Sequence, residues 1–168
     1  WVTCSEAQSL ASKVASGTSK TSSLMFGIQW NLMLAHIQNK GGVDVTTLTN
    51  DSTNIGNYSN NKWNITNDKA KYTTNRTEWN NCPYQKETGE PILLTTGASE
   101  TFAKMNIYDV AGNVREWTLE YCSTFASYPC VNRSGNCIDD GTVGTASRCG
   151  CAPVGDSNGV VGFRVTLY

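Results

Sequence analysis

Chemistry in this chain would have to come chiefly from its thiols. It has seven cysteines, Cys4, Cys82, Cys122, Cys130, Cys137, Cys149 and Cys151, and most of them lie after Tyr121. A nucleophilic thiolate needs nearby positive charge to lower its pKa. Beside the closest pair, Cys149 and Cys151, only Arg148 offers that charge. Zinc would need a second spaced pair of ligands, which the CxC at Cys149–Cys151 lacks. A disulfide framework is a further reading, and an odd count leaves at least one thiol unpaired within the chain. The single histidine, His36, flanks an apolar stripe, so no Ser-His-Asp arrangement is indicated.

The setting of these thiols is unusual. From Tyr121 to Tyr168 there is no Lys, Glu, Gln, Met or Trp. These five share neither size, charge nor polarity, so folding gives no reason to lose them together. They do share a property of the code: none can be written with a codon ending in C. The bias thus points to how the DNA was written, and some tail cysteines then become incidental products of it.

The elements that must position this segment are partly readable. Thr3 and Glu6, and also Ser5 and Gln8, have capping-box spacing. Behind them Ala7, Leu10, Ala11 and Val14 recur at helical spacing, which predicts a helix over 5–16 ended by Gly17. Phe26, Trp30, Met33, Leu34 and Ile37 predict a second helix over 26–38, stopped at Gly41–Gly42. Residues 43–90, rich in Asn, Thr, Ser and Lys, read as irregular surface loops pinned by Trp63, Tyr72 and Trp79. Short β runs follow at Ile92–Gly97 and Ile107–Tyr108. Asp109–Gly112 turns, and Val114–Tyr121 alternates as a strand. Val161–Tyr168 reads as a closing strand with Phe163, Val165 and Leu167 on one face.

The chain's 168 residues fit one domain, 1–168, and its Trp1 start suggests the C-terminal domain of a longer protein. A net charge of −1 provides no basic field for nucleic acid or anionic lipid. No 18-residue apolar run exists to span a membrane.

The segment Asn106-Ile-Tyr-Asp-Val-Ala-Gly-Asn-Val-Arg-Glu-Trp-Thr118 and the ending Gly162-Phe-Arg164 resemble the signatures of the formylglycine-generating-enzyme (sulfatase-modifying factor) family. Arg115 stands where that family usually has Trp. The resemblance implies an α+β, C-type-lectin-like fold: a small twisted antiparallel sheet, two helices and extensive ordered loops. It implies a calcium ion held by Asp109, the carbonyls of Gly112 and Val114, and Glu116, since oxygen ligands suit Ca²⁺. The residue-level alternative is that Asp109 caps a turn and Glu116 pairs with an arginine. The family's enzymes use a reactive cysteine pair in an Arg-Cys-Ala-Ala-Arg context. Arg148-Cys149-Gly150-Cys151-Ala152 echoes it loosely, with different spacing and no second Arg.

The composition bias carries a second resemblance, to the variable proteins of diversity-generating retroelements. These have a C-type-lectin-like domain of this kind. Their AAC codons are rewritten to NNC near the C-terminus, which excludes Lys, Glu, Gln, Met and Trp. The resemblance implies a ligand-recognition module with a variable segment at about 121–161. Expected contacts are Phe125, Tyr128, Cys137, Ile138, Asp139, Asp140, Val143, Arg148, Cys149, Cys151, Val154, Asp156 and Asn158. Tyr, Ser, Gly and Asn suit such a surface, because they supply contact area and adaptable hydrogen bonds at low entropic cost. Ile138, Val143 and Val154 would suit an exposed binding patch. The partner would be a protein or glycan receptor on a cell surface, with no nucleic acid and no membrane insertion. The location would be a phage tail fibre or bacterial surface protein, extracellular or on a virion, with the module a homo-oligomer as part of a longer fibre or surface protein. The alternatives are a formylglycine-generating-type thiol oxidase using Cys149 and Cys151, and a fixed calcium-dependent adhesin.

Overall fold

The computed structural model describes residues 1–168 except Phe125, Ala126 and Tyr128 and the side chains of Cys149 and Cys151. In chain order its elements are α1 (Cys4–Lys13), β1 (Ser22–Leu24), α2 (Gly27–Gly41), α3 (Val45–Thr49), β2 (Trp63–Ile65), β3 (Lys71–Thr73), β4 (Asn80–Asn81), β5 (Tyr84–Lys86), β6 (Leu93–Leu94), β7 (Ala103–Lys104), β8 (Ile107–Tyr108), β9 (Arg115–Tyr121), β10 (Cys130–Arg133), β11 (Arg148–Ala152), β12 (Val161–Phe163) and β13 (Val165–Leu167). The class is α+β, with few helices and small, mostly antiparallel sheets. No helix among the described residues is long and apolar enough to cross a membrane.

Both long helices start where local chemistry says they should, and α2 stops there too, whereas α1 ends at Lys13, before the expected stop at Gly17. Thr3 caps α1 through a full capping box: its hydroxyl accepts the Glu6 N–H, and the Glu6 carboxylate accepts the Thr3 N–H at 2.8 Å. Two orphan donors of the first turn are satisfied reciprocally. Helix α1 buries Cys4, Ala7 and Ala11, small residues that let its backbone lie close to Leu24 and Trp117. Leu10 and Val14 of the same apolar stripe stay exposed. At α2, Gln29 reaches back to accept the Phe26 N–H, and Gly42 ends the helix at φ +66°, a left-handed conformation open to glycine. Trp30, Leu34 and Ile37 form its buried face, each contributing about 1.5–3 kcal/mol by burial.

The largest sheet runs β11-β10-β9-β12. β9 pairs antiparallel with β10 (Trp117 opposite Asn132, Glu116 opposite Arg133) and parallel with β12 (Trp117 opposite Phe163). The closing strand is not continuous. It breaks at Arg164: residues 161–163 join β9, whereas 165–167 pair antiparallel with β1. Phe163 and Val165 still pack on one apolar cluster, but Leu167 is exposed. The break turns Arg164 inward, a placement that alternation along a single strand does not give. The 43–90 region also holds more regular structure than its composition indicates, in α3 and the β2–β5 and β3–β4 pairings. These pairings run over only two or three residues, with little periodicity to read.

Among the described residues four apolar clusters fill the interior. One lies under α2 (Trp30, Ile37, Tyr58, Val110), one under α1 (Leu24, Trp117, Cys130), one among the small sheets (Ile65, Leu94, Phe102), and a small one joins Leu93, Cys137 and Val160.

Candidate functional site

The Asp109–Trp117 segment is the hub where these clusters meet. Gly112 takes φ +65°, and a Cβ there would sit 2.3 Å from the Asn57 carbonyl oxygen. Only glycine meets both conditions. Asn113, also left-handed at φ +59°, uses its side-chain amide as a strand substitute. Its Oδ1 accepts the Leu94 N–H at 2.9 Å and an Asn57 amide hydrogen at 3.0 Å, and its Nδ2 donates to the Leu94 carbonyl at 3.0 Å. Trp117 donates its indole N–H to the Val2 carbonyl at 3.0 Å, fixing the approach to α1.

The charged residues of the hub converge on Arg164. Its Nε and Nη2 each donate to one Glu116 carboxylate oxygen, and Nη2 also donates to the carbonyls of Tyr108 (3.3 Å) and Asp109 (3.4 Å). Its guanidinium carbon lies 5.6 Å from the centre of the Trp30 ring, and that of Arg133 lies 5.9 Å from it. Asp109 accepts the Gly97 N–H on Oδ2 at 2.8 Å, while its buried Oδ1 has no hydrogen-bond partner among the described residues. Burial pushes the Asp109 carboxyl up to about 6, against the opposing influence of the Gly97 N–H and Arg164. A cavity of about 350 Å³ opens here, lined by Asp109, Glu116, Phe163 and Arg164 among others.

Calcium does not fit this arrangement. Both Glu116 oxygens are already bonded to a guanidinium, whose fixed charge would repel a divalent ion at the same carboxylate. Asp109 caps the turn at Gly97, and Glu116 pairs with an arginine, as the alternative sequence reading has it. Among the described residues no group of three or more His, Cys, Asp or Glu side chains is placed to hold a metal.

The expected contact residues are divided among three places. Ile138 to Val143 lie on a loop held against residues 51–60 by the Ser52 N–H to Gly141 carbonyl (2.8 Å) and Ser59 N–H to Asp139 carbonyl (2.9 Å) bonds. Within it Ile138 and Asp140 are exposed. Asp139 is tied by Arg115 Nη2 (3.0 and 3.1 Å) and the Asn136 N–H (2.9 Å). Val143 is half-buried, and its carbonyl accepts the Tyr58 hydroxyl at 3.1 Å. Arg148 stands exposed on β11, paired with the buried Glu120 carboxylate, so its charge is already engaged. Val154, Asp156 and Asn158 belong to an exposed run over 153–158 before β12.

Cys137 is a correction. It is fully buried with Leu93 and Val160, its thiol toward the Pro91 carbonyl, and burial pushes that thiol up to about 11. It is a core residue and not a surface contact. The whole of 130–137 is buried, because β10 is a central strand and the following turn inserts beneath the hub. Phe125 and Tyr128, and the side chains of Cys149 and Cys151, lie outside the described residues.

A second cavity, of about 380 Å³, is lined by Tyr121, Cys122, Ser123, Thr124, Val131, Arg148 and Gly150. Apart from Arg148 none of these was among the expected contacts. Their only sequence signal was membership of the biased segment. Beside it, Glu120 is held by Arg133 (3.6 Å) and Arg148, close to the first turn of α2 at Gly27. Lys86 was also unforeseen. It is buried, and its ammonium donates to the carbonyls of Tyr58 (2.9 Å), Ser59 (3.3 Å) and Asn61. Burial lowers its pKa.

Compared with known proteins, the chain matches no protein-family profile, no curated protein and no solved structure.

Proposed function

We propose that this chain is a ligand-recognition module of C-type-lectin-like architecture whose C-terminal surface is diversified by a retroelement. The observation that carries the reading is the bounded absence of Lys, Glu, Gln, Met and Trp from Tyr121 onward. Two structural features support it. Every described residue lining the 380 Å³ cavity comes from that segment. The segment also supplies the exposed run 153–158 and the exposed Ile138, Asp140 and Arg148. A fixed frame is present to carry such a face: Asn113, Glu116 and Trp117 are locked by bonds to Asn57, Leu94, Arg164 and Val2, in four different parts of the chain.

Burial narrows the variable face. Positions 130–137 stay constant because they form core and central strand, and variation is confined to the exposed positions on either side. The partner is a receptor on a cell surface, and the module is displayed on a virion or a bacterial exterior. The disulfide bond at Cys122 suits such an oxidising location.

The test is the DNA beside the gene. A near-identical repeat of the 121–161 coding region, carrying AAC where this gene carries other NNC codons, is expected next to a reverse-transcriptase gene. Absence of such a repeat from the complete source genome would remove the diversification reading.

A further inference from the structure

Two free thiols meet where α1 packs on the central sheet. Cys4 is the first residue of α1 and Cys130 the first of β10, and both are buried in the cluster that holds Leu24, Trp117 and Ala152. Neither is disulfide-bonded, they share one buried cluster, and the nearby Cys130 thiol adds to burial in raising the pKa of Cys4. The Gln8 amide donates to the Cys4 sulfur from the other side at 3.8 Å. The bond from the Trp117 indole to the Val2 carbonyl fixes the start of α1 beside β9, the neighbour of β10. Among the described residues the other free cysteines, Cys82 and Cys137, sit in two different clusters.

The same hairpin already carries an oxidised cysteine. Cys122 is disulfide-bonded, and its N–H donates to the Pro129 carbonyl at 2.9 Å, directly before Cys130. An environment that oxidises Cys122 presents the same oxidant to the Cys4–Cys130 pair.

We propose that Cys4 and Cys130 are a second disulfide site, which joins the first helix to the central sheet under oxidising conditions. The oxidant is a disulfide, either a small one such as glutathione disulfide or that of a thiol oxidoreductase. One cysteine, as thiolate, attacks a sulfur of the oxidant, forming a mixed disulfide and releasing one thiolate. The second cysteine, as thiolate, then attacks the mixed disulfide and releases the other. The two protons pass to the two leaving thiolates, so two cysteine thiols and one disulfide give one protein disulfide and two small thiols. Burial holds the Cys4 thiol up at about 12, so the exchange belongs to folding, before the cluster closes. The bond would close a loop from residue 4 to residue 130, and loops of this length restrict the unfolded chain most.

The experiment folds the chain from denaturant in a glutathione redox buffer and, separately, in reductant. Both samples are alkylated in denaturant and digested without reduction, and the peptides are identified by mass spectrometry. The oxidised sample is expected to contain a cross-linked peptide joining Cys4 to Cys130, with Cys82 and Cys137 alkylated. Its melting temperature should exceed that of the reduced sample, with about 10 °C of the gain removed by Cys130→Ser. In that variant Cys4 should become alkylated while Cys122 stays oxidised. Recovery of both Cys4 and Cys130 as alkylated peptides from the oxidised sample would overturn the proposal, as would Cys4 cross-linked to any other cysteine. The peptide map of the unsubstituted chain decides this even if Cys130→Ser does not fold.

Discussion

Replacing Arg164 with Met keeps most of the aliphatic volume and removes the guanidinium on which the hub converges. Glu116 is only 5% exposed and would lose both charge-assisted bonds, and the carbonyls of Tyr108 and Asp109 would lose a donor. Breaking a buried pair by removing one partner costs about 3–5 kcal/mol, because the remaining charge is stranded. In a domain of this size each kcal/mol moves the melting temperature by about 2–4 °C, so Arg164→Met should lower it by about 6–20 °C. Glu116→Gln strands a less buried partner and should cost less. The double variant strands no charge and should be less destabilised than the sum of the two, by about 2 kcal/mol or more. The assay is urea unfolding at pH 7 followed by circular dichroism on all four proteins. A loss under about 1 kcal/mol for Arg164→Met, or additivity within about 0.5 kcal/mol, would refute the view that this pair organises the hub.

Other outcomes follow from the same geometry. Gly112→Ala should cost about 2–4 kcal/mol in urea unfolding, since it combines a positive φ with a Cβ 2.3 Å from the Asn57 carbonyl oxygen. Asp109 titrates at about 6 when folded against an ordinary 3.8, so between those values the native state binds more protons than the unfolded chain. Its contribution therefore falls as pH rises through that window, by up to ~3 kcal/mol, and the stability difference between Asp109→Asn and the parent should grow in favour of the variant from pH 4 to pH 7. Ile138→Ser and Val154→Ser, at exposed positions, should shift the melting temperature by no more than about 2 °C, whereas Cys137→Asn should lower it by about 5 °C or more.

What the sequence revealed was mostly local. The capping box at Thr3 and Glu6, the left-handed stop at Gly42 and the apolar face of α2 are each set within a few residues, and each is found where expected. The strand over Arg115–Tyr121 and the turn before it were equally readable. What stayed hidden depends on partners distant in the chain. The break at Arg164 is made by Glu116, and the burial of Cys137 is made by Leu93 and Val160. The Lys86 ammonium is satisfied by carbonyls of residues 58–61, which no side-chain pattern records. The candidate face was legible as a composition, but composition alone could not separate its buried positions from its exposed ones.

The central claim is most directly tested by sequencing this gene from many clones of its source population and mapping where the encoded residues differ. Substitutions should fall at exposed positions such as Ile138, Asp140, Arg148, Val154, Asp156 and Asn158, and should keep to residues with a codon ending in C. Cys130, Arg133, Ser134 and Cys137 should not vary, and neither should any residue before Tyr121. Differences spread evenly along the chain, or reaching the buried 130–137 run as often as its exposed neighbours, would contradict it.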